Sequence, residues 1–300
     1  MNPSRVLITG GTGLLGKTLL ETAPAGWDLQ ATHHRNGPPA GWAWRFHPLD
    51  LRDADSIGRL IQNIRPKAVI HTASIGSVDQ AEQDPAGVRA VNVEGTRFVA
   101  QACRRAGAFL VHISSNAVFD GLHPPYSEES PVCPANRYGQ IKLEAEEAVK
   151  GTGAAHLIIR PILMYGWPFP GGRQNAVTRW LAELEAGKTV QAACDLFSMP
   201  LAVSNCAETI WAGILHSKSG IVHVAGADRL SLADFARKVA ETFGQDPARV
   251  IPVLSRELPG FAPRPPDTSF VTRRMEQELG VRRASVSEGL AGMLQQQCAS

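Results

Sequence analysis

The segment RVLITGGTGLLGKTLLE, residues 5–21, narrows the choice of fold more than any other stretch. VLIT (6–9) reads as a buried strand, and a helix follows from about Leu14 to Thr22. Between them Gly10, Gly13 and Gly16 fall at the spacing GxxGxxG. Glycines there permit a tight turn, the close approach of a pyrophosphate and close packing of helix on strand. The helix N-terminus offers free N–H groups and a partial positive charge to phosphate oxygens. A glycine triplet alone is common in turns. Its place between a strand and a helix points to a dinucleotide site, with Leu14 and Leu15 expected to line it.

The same alternation continues. WDLQAT (27–32), AVIHTA (68–73), AFLVHIS (108–114) and HLIIRP (156–161) read as strands, and helical patterns cover 53–64, Val88–Ala106 and Tyr138–Lys150. Alternating strands and helices imply an α/β fold of Rossmann type, a doubly wound parallel sheet with helices on both faces. After Arg160 the texture changes. WPFPGG (167–172) is a loop, 174–186 and 205–216 look helical, and GIVHVAG (220–226) looks like a strand. A helix from Ser231 to Phe243 has its N-cap at Ser231 or a neighbour, and the proline-rich LPGFAPRPP (258–266) reads as a surface loop. The expected division is a nucleotide-binding unit over 1–166 and a smaller C-terminal α/β substrate-binding region over 167–300. Segments at about 200–224 return to the first unit.

Composition excludes other classes. Lys plus Arg is 30 against 28 Asp plus Glu, without the basic excess of a nucleic-acid binder. At 44% hydrophobic residues the chain is not disordered. No run reaches the ~18 apolar residues of a membrane span, and MNPSRVLITGG lacks the apolar core and cleavage site of a signal peptide. A cytoplasmic location is expected. The five cysteines are scattered without a CxxC, and the nine histidines show no ligand spacing, so neither disulfides nor a metal site is read. The cysteines read as mostly buried thiols of a reducing compartment.

A dinucleotide site for NAD has an acid about 20 residues past the glycines to hold the ribose 2′-hydroxyl. Here no Asp or Glu lies between Leu29 and Leu49, and Arg35 stands where the second strand should end, beside His34. A cation there suits a 2′-phosphate, so the expected cofactor is NADP(H). Asp50 is expected to close a strand, with Leu51 after it. Its carboxylate either accepts from an adenine amino group or caps the following helix.

Tyr138 and Lys142 stand one turn apart on a helix. An ammonium beside a phenol favours the phenolate and tunes its acidity. A hydroxyl from the strand end at SSNAVFDG (114–121) is placed to hold a carbonyl in line with that phenol. The spacing YxxxK alone also describes many ordinary helices.

Seven segments in order, TGGTGLLG, DLRD, VIHTAS, VNVEGT, ISSNAVFDG, YGQIKLEAE and RPILMYG, resemble the extended short-chain dehydrogenase/reductase superfamily over most of residues 5–166. VDQAEQDP (78–85), the VFDG ending and APRPPDTSF (262–270) are most similar to the dTDP-4-dehydrorhamnose reductase family. The resemblance implies Tyr138 as proton donor, Lys142 as the residue holding the nicotinamide ribose and tuning the tyrosine, and Ser115 as third catalytic hydroxyl. It places Ala73, Asn92 and Pro161 along the cofactor path. The implied activity is NADPH-dependent reduction of a keto group on a nucleotide-activated deoxy sugar; a homodimer is expected on base rates alone.

Departures fall around the sugar. Asn116 and Ala117 replace an acid and a tyrosine, Leu163 stands at a tryptophan position, and Thr268 and Phe270 replace Ser and Leu in the RPxxSxL motif. Asn116, Leu163, Trp167 and Arg264 are the candidate substrate contacts; Tyr165, Arg173 and Asn175 lie nearby. Trp167 reads equally as a loop anchor, and Arg264 as a brace for the proline loop. A dehydratase needs an Asp-Glu pair where Asn116-Ala117 stands. A nucleotide-sugar epimerase would favour tightly held NAD. A regulatory subunit like that of methionine adenosyltransferase is the non-enzymatic alternative.

Overall fold

The computed structural model describes residues 4–38, 41–260 and 262–299. Met1–Pro3 of the segment tested for a signal peptide, Phe261 of the proline stretch, Pro39–Ala40 and Ser300 lie outside the described residues.

Seven parallel strands form one sheet: β1 (Ser4–Thr9), β2 (Trp27–His33), β3 (Arg45–Pro48), β4 (Ala68–His71), β5 (Phe109–Ile113), β6 (His156–Pro161) and β7 (Gly220–Val224), in the order β7-β6-β5-β4-β1-β2-β3. The fold is thus a doubly wound Rossmann-type α/β sheet. The short β3 is the strand expected before the second helix, with a different end. It ends at Pro48, before Asp50, and as an edge strand it tolerates a residue without an N–H.

Side chains alternate across the sheet. Val6, Ile8, Ile70, Val111, Ile159 and Val222 pack against α1 (Leu14–Glu21) and the later helix Val203–Leu215. Leu7, Val69 and Leu110 face α2 (Ala54–Ile64) and α3 (Gly95–Ala106). Burial of each such Leu or Ile contributes about 1.5–3 kcal/mol. The helix expected over Val88–Ala106 differs from a plain α-helix. Pro85–Arg89 leads into α3 through a wide π turn at Ala90–Glu94. That turn sits where Asn92 brackets Ile75, donating from Nδ2 to its carbonyl (2.9 Å) and accepting its N–H at Oδ1 (2.8 Å).

Helix α4 (Arg137–Gly151) covers the β4–β6 end of that same face. Downstream, α5 (Ala176–Glu185), α6 (Val203–Leu215), α7 (Leu232–Thr242) and α8 (Val286–Ala299) complete the chain. Ser231 caps α7, accepting from the Asp234 N–H. Trp180, Leu184, Phe235, Val239, Leu290 and Tyr165 build a second core around the paired strands Val190–Ala193 and Val250–Val253.

The reading of the cysteines is corrected. Cys103 and Cys206 are buried, whereas Cys133, Cys194 and Cys298 are exposed. The apolar character of a thiol does not decide burial where the local pattern is polar, as in the Gln-rich end of α8. Among the described residues no helix is long and apolar enough to cross a membrane.

Candidate active site

The strand order reverses between β4 and β1, opening a crevice at the C-terminal ends of the strands. The glycine loop forms one wall. Gly10 has φ +71°, and a Cβ on it would lie 2.8 Å from Ala73 Cα; one on Gly16 would lie 2.3 Å from the Gly10 carbonyl. Gly13 caps α1 without a side-chain hydrogen bond and no acid stands in its first turn, so the helix N–H groups face the crevice. This cradle suits a pyrophosphate. Leu14 is half-buried, and a Cβ on Gly166 would lie 3.5 Å from its Cδ1; Leu15 turns into the core.

At the end of β2, His34 and Arg35 are exposed, and among the described residues no carboxylate pairs with Arg35. Asp50 accepts from Arg52 Nη2 (2.6 Å) and lies 3.6 Å from His34 Nε2. These hydrogen bonds to Arg52 hold its carboxyl well below the usual range. The capping reading of Asp50 is corrected. Asp53 caps α2, accepting the Ser56 N–H at 2.9 Å. Leu51 is buried where α3 begins, so close that a Cβ on Gly95 would lie 2.8 Å from its own Cβ. Pro161 closes β6.

Helix α4 is fixed by Asn136, which accepts the Gly139 N–H (2.9 Å) and donates to the Pro263 carbonyl (2.9 Å). Lys142 is buried, donates to the Ile113 carbonyl (2.9 Å), and its Nζ lies 5.9 Å from the Tyr138 ring centre. Burial pushes the Lys142 ammonium down to about 8, opposed by the Glu146 carboxylate. Burial pushes the Tyr138 phenol up to about 12, opposed by the Arg173 charge and a hydrogen bond with Ser115. At neutral pH the phenol therefore holds a proton to give, beside a protonated lysine. Ser115, Tyr138 and Lys142 are brought together.

Helix α4 sits tightly on the Ser115 turn: a Cβ on Gly139 would fall 2.0 Å from the Ala117 carbonyl. Gly139→Ala is expected to part Tyr138 from Ser115 and lower turnover about 100-fold, since a 1 Å misplacement has that effect. Steady-state kinetics beside NADPH binding check this; unchanged kcat would refute the contact.

The expected substrate contacts divide. Asn116 Nδ2 donates to Thr268 Oγ1 (2.5 Å), tying the site loop to the C-terminal region. Leu163 packs half-buried against the second core. Trp167 anchors its loop, Nε1 donating to the Met293 carbonyl at 2.8 Å. Tyr165 is buried, and Asn175 forms a capping box at α5. Arg264 pairs with Asp79 (2.9 Å), bracing the proline loop against the helix Val78–Gln83. Arg173, by contrast, is exposed beside Tyr138, its Nη1 3.3 Å from where a Gly76 Cβ would stand.

A buried cluster behind Lys142 escaped the sequence reading. Glu146 accepts from Ser114 Oγ (2.5 Å) and from Arg160 Nε and Nη2 (2.8 and 2.7 Å). Its one local signal was an arginine inside the apolar strand HLIIRP. Among the described residues no group of three or more His, Cys, Asp or Glu is placed to hold a metal.

The chain is similar to known proteins over nearly its whole length. The chain is 30% identical over 269 residues to methionine adenosyltransferase 2 subunit beta of Xenopus laevis, covering 87% of this chain and 78% of that one. It is 30% identical over 280 residues to dTDP-4-dehydrorhamnose reductase of Mycolicibacterium smegmatis, covering 91% and 80%. The crystal structure of dTDP-4-dehydrorhamnose reductase from Bacillus anthracis in complex with NADP superposes with a TM-score of 0.87 at 28% identity, covering 98% and 99%. The model of the RmlD substrate binding domain matches residues 4–298, from the first strand through the last helix, and the chain belongs to that family.

Proposed function

We propose that the chain is an NADPH-dependent reductase of a keto group on a nucleotide-activated deoxy sugar. The observation that carries this reading is the Ser115–Tyr138–Lys142 group, which follows the same C-terminal sheet edge as the glycine cradle. Bound NADPH supplies the hydride. Tyr138 gives its proton to the developing alkoxide, Ser115 donates a hydrogen bond to the same oxygen, and Lys142 supplies a positive field and holds the nicotinamide ribose. Residues 1–166 hold the cofactor, with Gly10, Gly13, Gly16, Ala73, Asn92 and Pro161 along its path, and residues 167–300 the sugar. A homodimer is part of this reading.

The test is NADPH oxidation, followed optically, with dTDP-4-keto-6-deoxy sugars and simple ketones. Turnover with a keto sugar supports the reading. NADPH binding without oxidation, together with co-purification of a larger enzyme, supports the second reading, a regulatory subunit. The similarity to methionine adenosyltransferase 2 subunit beta and the Asn116-Ala117 replacement favour that alternative.

Arg35 sets cofactor choice in this reading. Arg35→Glu is expected to weaken NADPH about tenfold or more, the worth of a charge-assisted hydrogen bond, and to leave NADH within about twofold. Fluorescence titration reads both. Equal weakening of the two cofactors refutes the role.

A further inference from the structure

The buried cluster behind the lysine joins three catalytic elements at one carboxylate. Glu146 is 0% exposed. It holds Ser114, the neighbour of Ser115 at the end of β5. It holds Arg160, the neighbour of Pro161 at the end of β6, through two hydrogen bonds. It stands one turn beyond Lys142 on α4.

The rest of the cluster is also saturated. His223 Nδ1 lies 3.2 Å from the Tyr126 carbonyl, which can only accept, so the proton is on Nδ1. Nε2 is then free to accept from Arg160 Nη1 at 3.4 Å. Arg160 thus reaches from the carboxylate towards β7, and its Cζ lies 5.4 Å from the Phe119 ring centre.

We propose that Glu146 is a positioning residue for the reaction. It fixes the spacing of the Ser115 turn and the Pro161 strand end against α4, and its charge keeps the buried Lys142 protonated. This rests on the reductase reading for its kinetic meaning only. The groups facing Lys142 are Tyr138 and Glu146 on its own helix, and His71 from β4 and His112 from β5. Both histidines are held neutral by burial, so Glu146 is the anion among them.

A buried arginine left without its carboxylate is itself destabilising. The test therefore compares Glu146→Gln with the pair Glu146→Gln/Arg160→Met, in which no uncompensated guanidinium remains. NADPH affinity, which needs no ketone, and kcat are followed from about pH 6 to about pH 10. In the parent both are expected to fall on an alkaline limb near the Lys142 value of about 8. In the variants the limb is expected about one pH unit lower or more, so that NADPH affinity and kcat at about pH 8 are already on the falling side, the usual effect of losing an opposite charge. Glu146→Asp is expected to keep the parent limb.

A limb that stays in place in the pair variant, with the same loss at every pH, would overturn the proposal and leave a purely structural role. A parent with no alkaline limb in NADPH affinity overturns it too. A limb that moves on NADPH affinity, in a protein that turns over no ketone, upholds the positioning role while the reductase reading fails.

Discussion

Tyr138→Phe is expected to lower ketone turnover roughly 10²–10⁴-fold, the range for a positioned acid, while NADPH affinity stays within about twofold. The phenyl ring keeps the packing of Tyr138 beside Ile75 on the core of α4, so the helix stays in place. Only the hydroxyl is lost, and with it the proton that burial keeps on the phenol at neutral pH. Ser115 remains in its turn, because Oγ still accepts the Ala117 N–H at 3.1 Å. Steady-state NADPH oxidation beside a fluorescence titration of NADPH separates the two effects. A variant retaining more than about a tenth of parental turnover removes Tyr138 from the role of proton donor.

Acid is expected to unfold the protein steeply below pH ~6.5. Three histidines on one face of the sheet are buried. Burial pushes His71 and His223 down to about 3 and holds His112 well below the usual imidazole range. Folded-state values below the unfolded ~6.5 mean the unfolded chain binds protons first as pH falls. Their stability contribution is present above pH ~6.5 and is lost as pH falls towards the folded values. Each histidine removes about 1.4 kcal/mol per pH unit, so the three remove about 4 kcal/mol by about pH 5.5, against typical domain stabilities of about 5–15 kcal/mol.

The geometry explains why protonation is not absorbed in place. Thr96 donates its hydroxyl to the Asn92 carbonyl (2.6 Å), so it accepts from His71 Nε2, and Thr9 Oγ donates to Nδ1 at 2.7 Å. A second proton on His71 would face a donor. His112 has no protein partner on either ring nitrogen among the described residues, and its ring lies 5.8 Å from that of His71. Urea unfolding at about pH 7.5, 6.5 and 5.5 measures the slope. His112→Leu is expected to remove about a third of it. A variant with the full parental slope would show that His112 is not one of the protons involved.

What was legible in the sequence is what depends on near neighbours in the chain. The glycine loop, the Tyr138/Lys142 spacing and the alternation of strands and helices are local, and the structure has each. Two residues with two readings have partners far along the chain, and a third has a near neighbour. Arg264 finds Asp79, Trp167 finds Met293, and Asp50 finds Arg52, leaving the cap to Asp53. Leu163 packs half-buried against a core that helices well separated in the chain build together. Glu146 looked like one acid among several in KLEAEEAV. Only the parallel pairing of β5 with β6 brings Ser114 and Arg160 to it.

Strand β7 pairs with β6, yet the chain makes α5, four short strands and α6 before reaching it. On a ribosome adding roughly 5–20 residues per second, the outer edge of β6 therefore waits several seconds for its partner. Over that interval the nascent sheet presents an unpaired row of N–H and C=O groups, and Arg160 lacks His223. Synthesis of this chain thus passes through an adhesive stage that the finished molecule conceals, and its yield in a cell depends on whatever shields that edge.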